Sequence, residues 1–206
     1  MGVVRDLYQN TRKPQGMSGR MMLSMMGIAH KKVSLWGLSH IQVPSRSEVL
    51  DIGCGGGKNI SYLLSMSEGS KVYGADYSAE SVSKSKRTNK KAIHQGRVEI
   101  VQASVSSLPF DGGKFDVVTA FETVYFWPDL LSDLKEVRRV MKSGGTILIC
   151  NEASRPEGFE NWTDRIDMTI YTGAELSRTL SEAGFRDISA REHENGKWLC
   201  VTATAR

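Results

Sequence analysis

The stretch VLDIGCGGG, residues 49 to 57, decides the fold of this chain. An apolar run typical of a buried strand leads into a glycine-rich turn, and an amphipathic stretch reaching about Met66 follows the turn. Glycine accepts the left-handed backbone of a tight turn and lets a ligand approach the main chain closely. A helix that begins directly after such a turn offers free N–H groups to that ligand. The sequence therefore predicts a nucleotide-type site between the first strand and its helix.

The spacing of the glycines distinguishes three classes of ligand. A Walker phosphate loop needs Gly, four residues and then Gly-Lys-Ser/Thr, but its first and last positions here are Ile52 and Asn59. A dinucleotide site needs G-x-G-x-x-G, and Lys58 stands at its third glycine. The pattern that remains is D-x-G-x-G-x-G, with Asp76 ending the next strand, where it is placed to accept hydrogen bonds from ribose hydroxyls. The spacing excludes the phosphate loop and disfavours the dinucleotide site.

The rest of the chain repeats the alternation of strand and helix. Strands are predicted over residues 48–53, 71–76, 97–103, 115–121, 145–151, 185–192 and 197–205. Helices are predicted over residues 57–66, 79–94 and 174–184, and within 128–145, where a glycine pair closes the helix. Asn195 and Gly196 indicate a hairpin between the last two strands. We therefore predict an α/β fold with a mostly parallel seven-stranded sheet and an antiparallel last strand.

Composition divides the chain and limits its partners. Residues 1–45 are irregular and then Met-rich, which predicts an N-terminal helical cap, and residues 46–206 form the α/β domain. Lysine and arginine exceed aspartate and glutamate by 27 to 23, so the small excess does not favour a nucleic-acid partner. Three widely separated cysteines argue against disulfides and favour a location in the cytoplasm. No apolar run in the sequence approaches the length that a membrane-spanning helix needs.

Four motifs together resemble the class I S-adenosylmethionine-dependent methyltransferases. The chain looks most similar to the small-molecule branch, methyltransferase type 11, which is related to the ubiquinone and menaquinone methylation enzymes. The motifs, in the order that the family has them, are VLDIGCGGG (49–57), VYGADYS (72–78), VQASVSSLPFDGGKFDVVTAF (101–121) and VMKSGGTILI (140–149). The resemblance implies a Rossmann-like, doubly wound fold, with S-adenosylmethionine as cofactor and S-adenosylhomocysteine as its product.

The resemblance also implies which residues hold the cofactor. Asp51 would orient the methionine amino group, Asp76 would bind the ribose diol, and Tyr77 would pack against adenine. Many members of the family carry Asp at the position of Ser104, where the Asp accepts a hydrogen bond from the adenine amino group. The Ser104 hydroxyl can also accept such a bond. The complete set of implied cofactor-binding residues is Asp51, Gly53, Cys54, Gly55, Gly57, Asp76, Tyr77, Ser104, Val105, Ala120 and Phe121.

The acceptor side follows from the chemistry of methyl transfer. Displacement at a sulfonium needs alignment and exclusion of water, so no metal site is predicted. Ligands of open α/β sheets sit beyond the carboxyl ends of the strands, which places the residues after the fourth and fifth strands at the acceptor. The candidates for proton transfer are Glu122, Tyr125 and His30. Asn151 and Glu152 are also expected to face the acceptor.

The predicted function is methyl transfer from S-adenosylmethionine to an O, N or C atom of a small molecule. Two alternatives stay open, namely a methyltransferase acting on RNA or protein and a non-catalytic module that binds S-adenosylmethionine. A nicotinamide oxidoreductase ranks last because Lys58 replaces the third glycine. A homodimer is one option for the oligomeric state.

Overall fold

The computed structural model describes residues 22, 23, 25 and 29–206. Most of the predicted N-terminal cap, residues 1–45, lies outside the described residues. The strands are β1 (Glu48–Ile52), β2 (Lys71–Asp76), β3 (Val98–Gln102), β4 (Phe115–Phe121), β5 (Met141–Asn151), β6 (Phe185–Glu192) and β7 (Leu199–Ala205). The helices are α1 (Lys31–Leu38), α2 (Lys58–Met66), α3 (Ala79–Thr88), α4 (Lys90–His94), α5 (Leu130–Val140), α6 (Glu160–Thr163) and α7 (Gly173–Glu182).

The seven strands form one sheet in the order β3-β2-β1-β4-β5-β7-β6. Strands β1 to β5 pair in parallel, whereas β7 is antiparallel to both β5 and β6. The predicted mostly parallel sheet with an antiparallel last strand is therefore confirmed. The order reverses direction between β1 and β4, and ligands of open α/β sheets bind at such a switch point. The glycine turn, which follows β1, lies at this point.

Helices cover both faces of the sheet, as the doubly wound prediction requires. On one face α1 and α2 contribute fully buried side chains such as Val33, Ile60 and Leu63. On the other face α5 and α7 contribute Leu134 and Leu176, which are equally buried. Burying apolar side chains on both faces is the main force that stabilises such a layered domain. Among the helices of the described residues, none combines the length and the apolar character needed to cross a membrane.

The helix predicted over residues 79–94 is wrong in one respect, because it is two helices separated by Asn89. The buried Asn89 side chain donates to the carbonyl oxygens of Gly57 at 3.0 Å and Ser85 at 3.1 Å. It also accepts a hydrogen bond from the Ser61 hydroxyl at 3.1 Å. Asparagine competes with the helical backbone for such partners, which explains the break. The same bonds tie the end of the glycine turn to α2 and α3.

The start of β5 also differs from the prediction. The helix α5 ends at Val140, and β5 begins at Met141 rather than at Gly145. Met141 pairs with Phe115, and the register between β4 and β5 then shifts before Val117. A Cβ on Gly145 would lie only 3.0 Å from three carbonyl oxygens, so this irregular pairing needs a glycine. The glycine pair therefore serves a bulged strand and does not end the helix.

Candidate active site

The glycine turn is held to the end of β2 by backbone hydrogen bonds. The N–H groups of Gly53 and Cys54 donate to the Ala75 carbonyl at 2.8 and 3.1 Å. Gly53 has a φ of +68°, and a Cβ there would collide with the Thr123 side chain. Gly55 has a φ of +50°, but a Cβ there would meet nothing closer than Leu23 Cδ2 at 3.9 Å. The turn is therefore packed tightly at Gly53 and open at Gly55, where a ligand can lie against the backbone.

Gly57 and Cys54 face the protein interior. A Cβ on Gly57 would collide with the side chains of Asn89 and Ser85. The Cys54 side chain is buried, and burial raises the pKa of its thiol well above the ordinary value. A protonated, buried thiol has no nucleophilic character, so Cys54 supports the turn by its small size.

Asp76 connects the glycine turn to the next loop. Its Oδ2 accepts a hydrogen bond from the Gly55 N–H at 2.9 Å, and its Oδ1 accepts one from the Ser78 N–H at 2.8 Å. Burial raises the pKa of this carboxyl, and the two backbone bonds oppose that rise. Each carboxylate oxygen retains a second lone pair, so the group can still accept from a diol. The predicted position beside the glycine turn is where the structure places Asp76.

Asp51 lies in β1, two residues before the glycine turn, and is buried. Its Oδ1 accepts a hydrogen bond from the Thr119 hydroxyl at 2.8 Å, across the parallel register of β1 and β4. Its Oδ2 has no hydrogen-bond partner among the described residues. Burial, reinforced by the charge of Asp76, raises the pKa of Asp51 to about 7. A buried oxygen without a partner is costly, and a cationic donor such as an amino group would satisfy it.

The residues predicted to border adenine lie at the ends of β2 and β3. Tyr77 follows β2 and its side chain is 39% exposed, and its carbonyl accepts from the Gln102 amide at 3.1 Å. Val105 is buried, whereas Ser104 is exposed and its hydroxyl accepts from the Ser106 N–H at 3.2 Å. The Ser104 hydroxyl thus holds its own loop, and it retains a second lone pair for a ligand.

Ala120 and Phe121 end β4 beside the glycine turn, and both are buried. Ala120 is in register with Ile52, the last residue of β1. Phe121 lies against α1, because a Cβ on Gly37 would sit 3.1 Å from its ring. The backbone that follows Phe121 therefore starts beside the turn.

The three predicted proton-transfer residues converge after β4 and β5. Glu122 has a φ of +57°, a conformation that is costly for a residue with a side chain and that concentrates at functional sites. Its Oε1 accepts a hydrogen bond from the Glu152 N–H at 2.5 Å. The Tyr125 hydroxyl accepts one from the Ala153 N–H at 2.9 Å. His30 Nε2 lies 3.7 Å from Glu152 Oε2.

The surroundings of this cluster shift its proton affinities. Burial raises the pKa of Glu122 well above its ordinary value, and the Glu152 carboxylate adds to the rise. Burial also raises the pKa of Tyr125, with a further contribution from Glu122. The pKa of His30 is lowered by burial, although Glu152 opposes this. Titratable groups whose pKa values are shifted in opposite directions, and which lie beside the switch point of the sheet, are typical of sites that transfer protons.

Two residues that support the site do not follow from sequence reasoning. The sequence pattern predicts Thr119 only as part of the fourth strand, yet it holds Asp51. The pattern predicts Asn89 inside a helix, yet it bonds the end of the glycine turn. The signal for Thr119 is a hydroxyl in the otherwise apolar strand FDVVTAF, but its partner depends on the β1–β4 register.

Comparison with known proteins places this geometry in a family. A family model described as a methyltransferase domain matches residues 50–149. The sarcosine/dimethylglycine N-methyltransferase of Halorhodospira halochloris is 31% identical over 157 residues, covering 74% of this chain and 56% of that protein. The chain thus spans little more than half of that relative.

Two further matches cover more of both chains. The demethylmenaquinone methyltransferase of Bacillus licheniformis is 32% identical over 178 residues, which is 84% of this chain and 75% of that protein. The crystal structure of a S-adenosylmethionine-dependent methyltransferase from Aquifex aeolicus superimposes with a TM-score of 0.77 at 20% identity, covering 91% of this chain and 98% of that one. The structural match supports the fold, and the sequence alignment with the Bacillus protein supports common ancestry of the two chains. The chain belongs to the class I S-adenosylmethionine-dependent methyltransferase family.

Proposed function

We propose that this chain transfers the methyl group of S-adenosylmethionine to a nucleophilic O, N or C atom of a small molecule by direct displacement. The observation that carries the proposal is that two parts of one site are adjacent. We call the glycine turn with Asp51 and Asp76 the cofactor half, and Glu122 with the residues around it the acceptor half. The Thr123 side chain packs against Gly53, so the segment that follows Glu122 touches the glycine turn. A cofactor lying along the turn would therefore direct its methyl end towards Glu122. Such alignment supplies much of the catalysis of a displacement reaction.

The cofactor half of the site fits S-adenosylmethionine residue by residue. Asp51 Oδ2, which has no hydrogen-bond partner in the part of the chain that the structure describes, suits the amino group. The open backbone at Gly55 suits the chain that leads to the sulfonium. Asp76 would accept from both ribose hydroxyls, and Tyr77 and Val105 would flank adenine. When bound, the cofactor supplies an electrophilic methyl group on a positively charged sulfur. The residues of this chain bind it and hold it in line.

The acceptor half would take a molecule with an apolar body and a proton-bearing nucleophile. Tyr125, Ala153 and Ile170 form a separate buried apolar cluster beside the polar groups. Phe126, Phe159 and Met168 pack against that cluster. Glu122, His30 and Tyr125 would bind the nucleophile, and Glu122 or His30 would accept its proton. The names of the relatives describe small acceptors, namely sarcosine or dimethylglycine and demethylmenaquinone, which supports a small molecule.

The described residues of the predicted N-terminal cap lie beside this site. Leu23 is buried against the open side of the turn at Gly55, and α1 packs on the sheet through Val33 and Leu38. His30, which immediately precedes α1, would thereby reach the acceptor half. The three cysteines are free and buried, which suits a chain working in the reducing cytoplasm.

The direct test is incubation of the chain with methyl-labelled S-adenosylmethionine and, in separate reactions, a metabolite extract, RNA or protein, followed by mass spectrometry. We expect a labelled small molecule that appears with the native chain and not with Asp76→Ala. Binding of S-adenosylhomocysteine without any labelled product from metabolites, RNA or protein would instead indicate a non-catalytic module. Labelling of RNA, favoured by the basic residues Lys84, Lys86, Arg87, Lys90 and Lys91, would move the function to a macromolecule.

The raised pKa of Asp51 predicts that cofactor affinity depends on pH. With a pKa of about 7, the Asp51 carboxyl is mostly neutral at pH 6 and mostly charged at pH 8. A cationic amino group binds the charged form, so affinity for S-adenosylhomocysteine should fall by up to about tenfold per pH unit below 7. Calorimetry at pH 6, 7 and 8 measures this. The variant Asp51→Asn cannot titrate and should bind weakly at every pH; if it kept the native slope, the slope would belong to another group, such as Asp76.

A further inference from the structure

Three potential metal ligands meet at one point of the acceptor half. They come from separate parts of the chain: His30 precedes α1, Glu122 follows β4, and Glu152 follows β5. One nitrogen and two carboxylate oxygens of these residues all lie within 4.8 Å of one another. The side chains of His30 and Glu152 are 26% and 37% exposed, so an ion can reach them. No metal site is predicted from the sequence, in which the three residues are far apart.

The distance between His30 and Glu152 matches that between ligands that share one metal ion. Bonds of about 2.0 to 2.2 Å place neighbouring ligand atoms roughly 3 to 4 Å apart. His30 Nε2 and Glu152 Oε2 are already 3.7 Å apart. Small side-chain rotations would close the remaining gaps. Imidazole together with carboxylates suits divalent ions such as Mn²⁺, Fe²⁺ and Zn²⁺.

The charges at the cluster also favour a cation. The Glu122 and Glu152 carboxyl groups each place an oxygen atom within 4.8 Å of the other. A divalent ion between two carboxylates is attracted by both of them.

The groups around the cluster already orient one of its ligands. Glu122 Oε1 accepts a hydrogen bond from the Glu152 N–H at 2.5 Å, which fixes the orientation of its carboxyl group. The Tyr125 hydroxyl, which also bonds to Glu122, is itself held by the Ala153 N–H at 2.9 Å. Metal-binding carboxylates in proteins are oriented by outer hydrogen bonds of this kind.

We propose that His30, Glu122 and Glu152 bind one divalent transition-metal cation whose open positions take an oxygen or nitrogen atom of the methyl acceptor. The assignment of those open positions to the acceptor rests on the proposed function, whereas the ion binding does not. Three protein ligands leave one open position on a four-coordinate ion such as Zn²⁺ and three on a six-coordinate ion such as Fe²⁺, as catalytic metal sites do. A coordinated acceptor atom would be fixed near the methyl end of the cofactor, and the ion would lower the pKa of that atom so that its proton passes to water, because His30 and Glu122 then bind the ion.

The test is titration of the metal-free full chain with Mn²⁺ alone, followed by electron paramagnetic resonance of the free ion. We expect one Mn²⁺ bound per chain. The variants Glu152→Gln and His30→Gln should each weaken binding by about tenfold or more, since each removes one of three ligands. The matched control is Glu194→Gln, an exposed residue in the β6–β7 turn, which should bind as the native chain does. Thermal unfolding of each variant checks that it is folded.

Either of two results would overturn the metal site: no Mn²⁺ binding to the native chain, or equal binding by the native chain and both ligand variants. Calorimetry with S-adenosylhomocysteine on the same preparation separates this outcome from failure of the proposed function. Binding of S-adenosylhomocysteine without Mn²⁺ removes only the metal. Binding of Mn²⁺ without S-adenosylhomocysteine keeps the metal site and removes the proposed function.

Discussion

Asp76→Ala is expected to weaken S-adenosylhomocysteine binding by about 100-fold or more, since hydrogen bonds to a charged group contribute about 1.5 to 3 kcal/mol each. The substitution removes the proposed acceptor of both ribose hydroxyls. It also leaves the N–H groups of Gly55 and Ser78 without their partner, which loosens the turn itself. The loss therefore combines a missing contact with a less ordered site.

Calorimetric titration of the variant with S-adenosylhomocysteine measures this effect. Asp111→Ala is the control, because Asp111 is exposed in the loop before β4, at the opposite edge of the sheet from the turn. Asp76→Asn should retain part of the affinity, since its amide oxygen can still accept one backbone bond. Native affinity in Asp76→Ala would show that the ribose does not bind here.

Gly55→Ala is expected to abolish most cofactor binding while leaving the fold intact. A methyl group at Gly55 meets no protein atom closer than 3.9 Å, so it would occupy the space assigned to the cofactor. Its cost to folding is that of a left-handed residue with a side chain, about 1 to 2 kcal/mol. We expect affinity for S-adenosylhomocysteine to fall by at least about tenfold, which corresponds to about 1.4 kcal/mol.

Gly113→Ala is the matched control for this variant. Gly113 has a φ of +68°, and a Cβ there would meet no atom within 4 Å, but the residue lies in the loop before β4. Urea unfolding should show a similar loss of stability in both variants, and calorimetry should show lost binding in Gly55→Ala alone. If both variants bound the cofactor equally well, the cofactor would not lie along Gly55.

The features that could be predicted from the sequence are those encoded locally. The strand, turn and helix around Gly53 and Gly55 need particular residues at adjacent positions, and so does the hairpin at Asn195 and Gly196. Such local requirements can be recognised in the sequence without knowledge of the fold. The position of Asp76 followed as well, because a βαβ unit brings the ends of consecutive strands together.

The features that were missed depend on contacts between distant segments. Asn89 ends a helix because its side chain finds the Gly57 carbonyl, which no local pattern reveals. Thr119 reaches Asp51 only through the register of β1 and β4. The approach of His30 to Glu152 depends on how α1 packs on the sheet. Tertiary packing decides each of these contacts, so the sequence pattern alone could not predict them.

The most direct test of the central claim is calorimetric titration of the native chain with S-adenosylhomocysteine at pH 8, where Asp51 is charged. The proposed site predicts one molecule bound per chain, with heat that disappears in Asp76→Ala. The absence of binding by the folded native chain would contradict the assignment of the glycine turn, Asp51 and Asp76 to this cofactor.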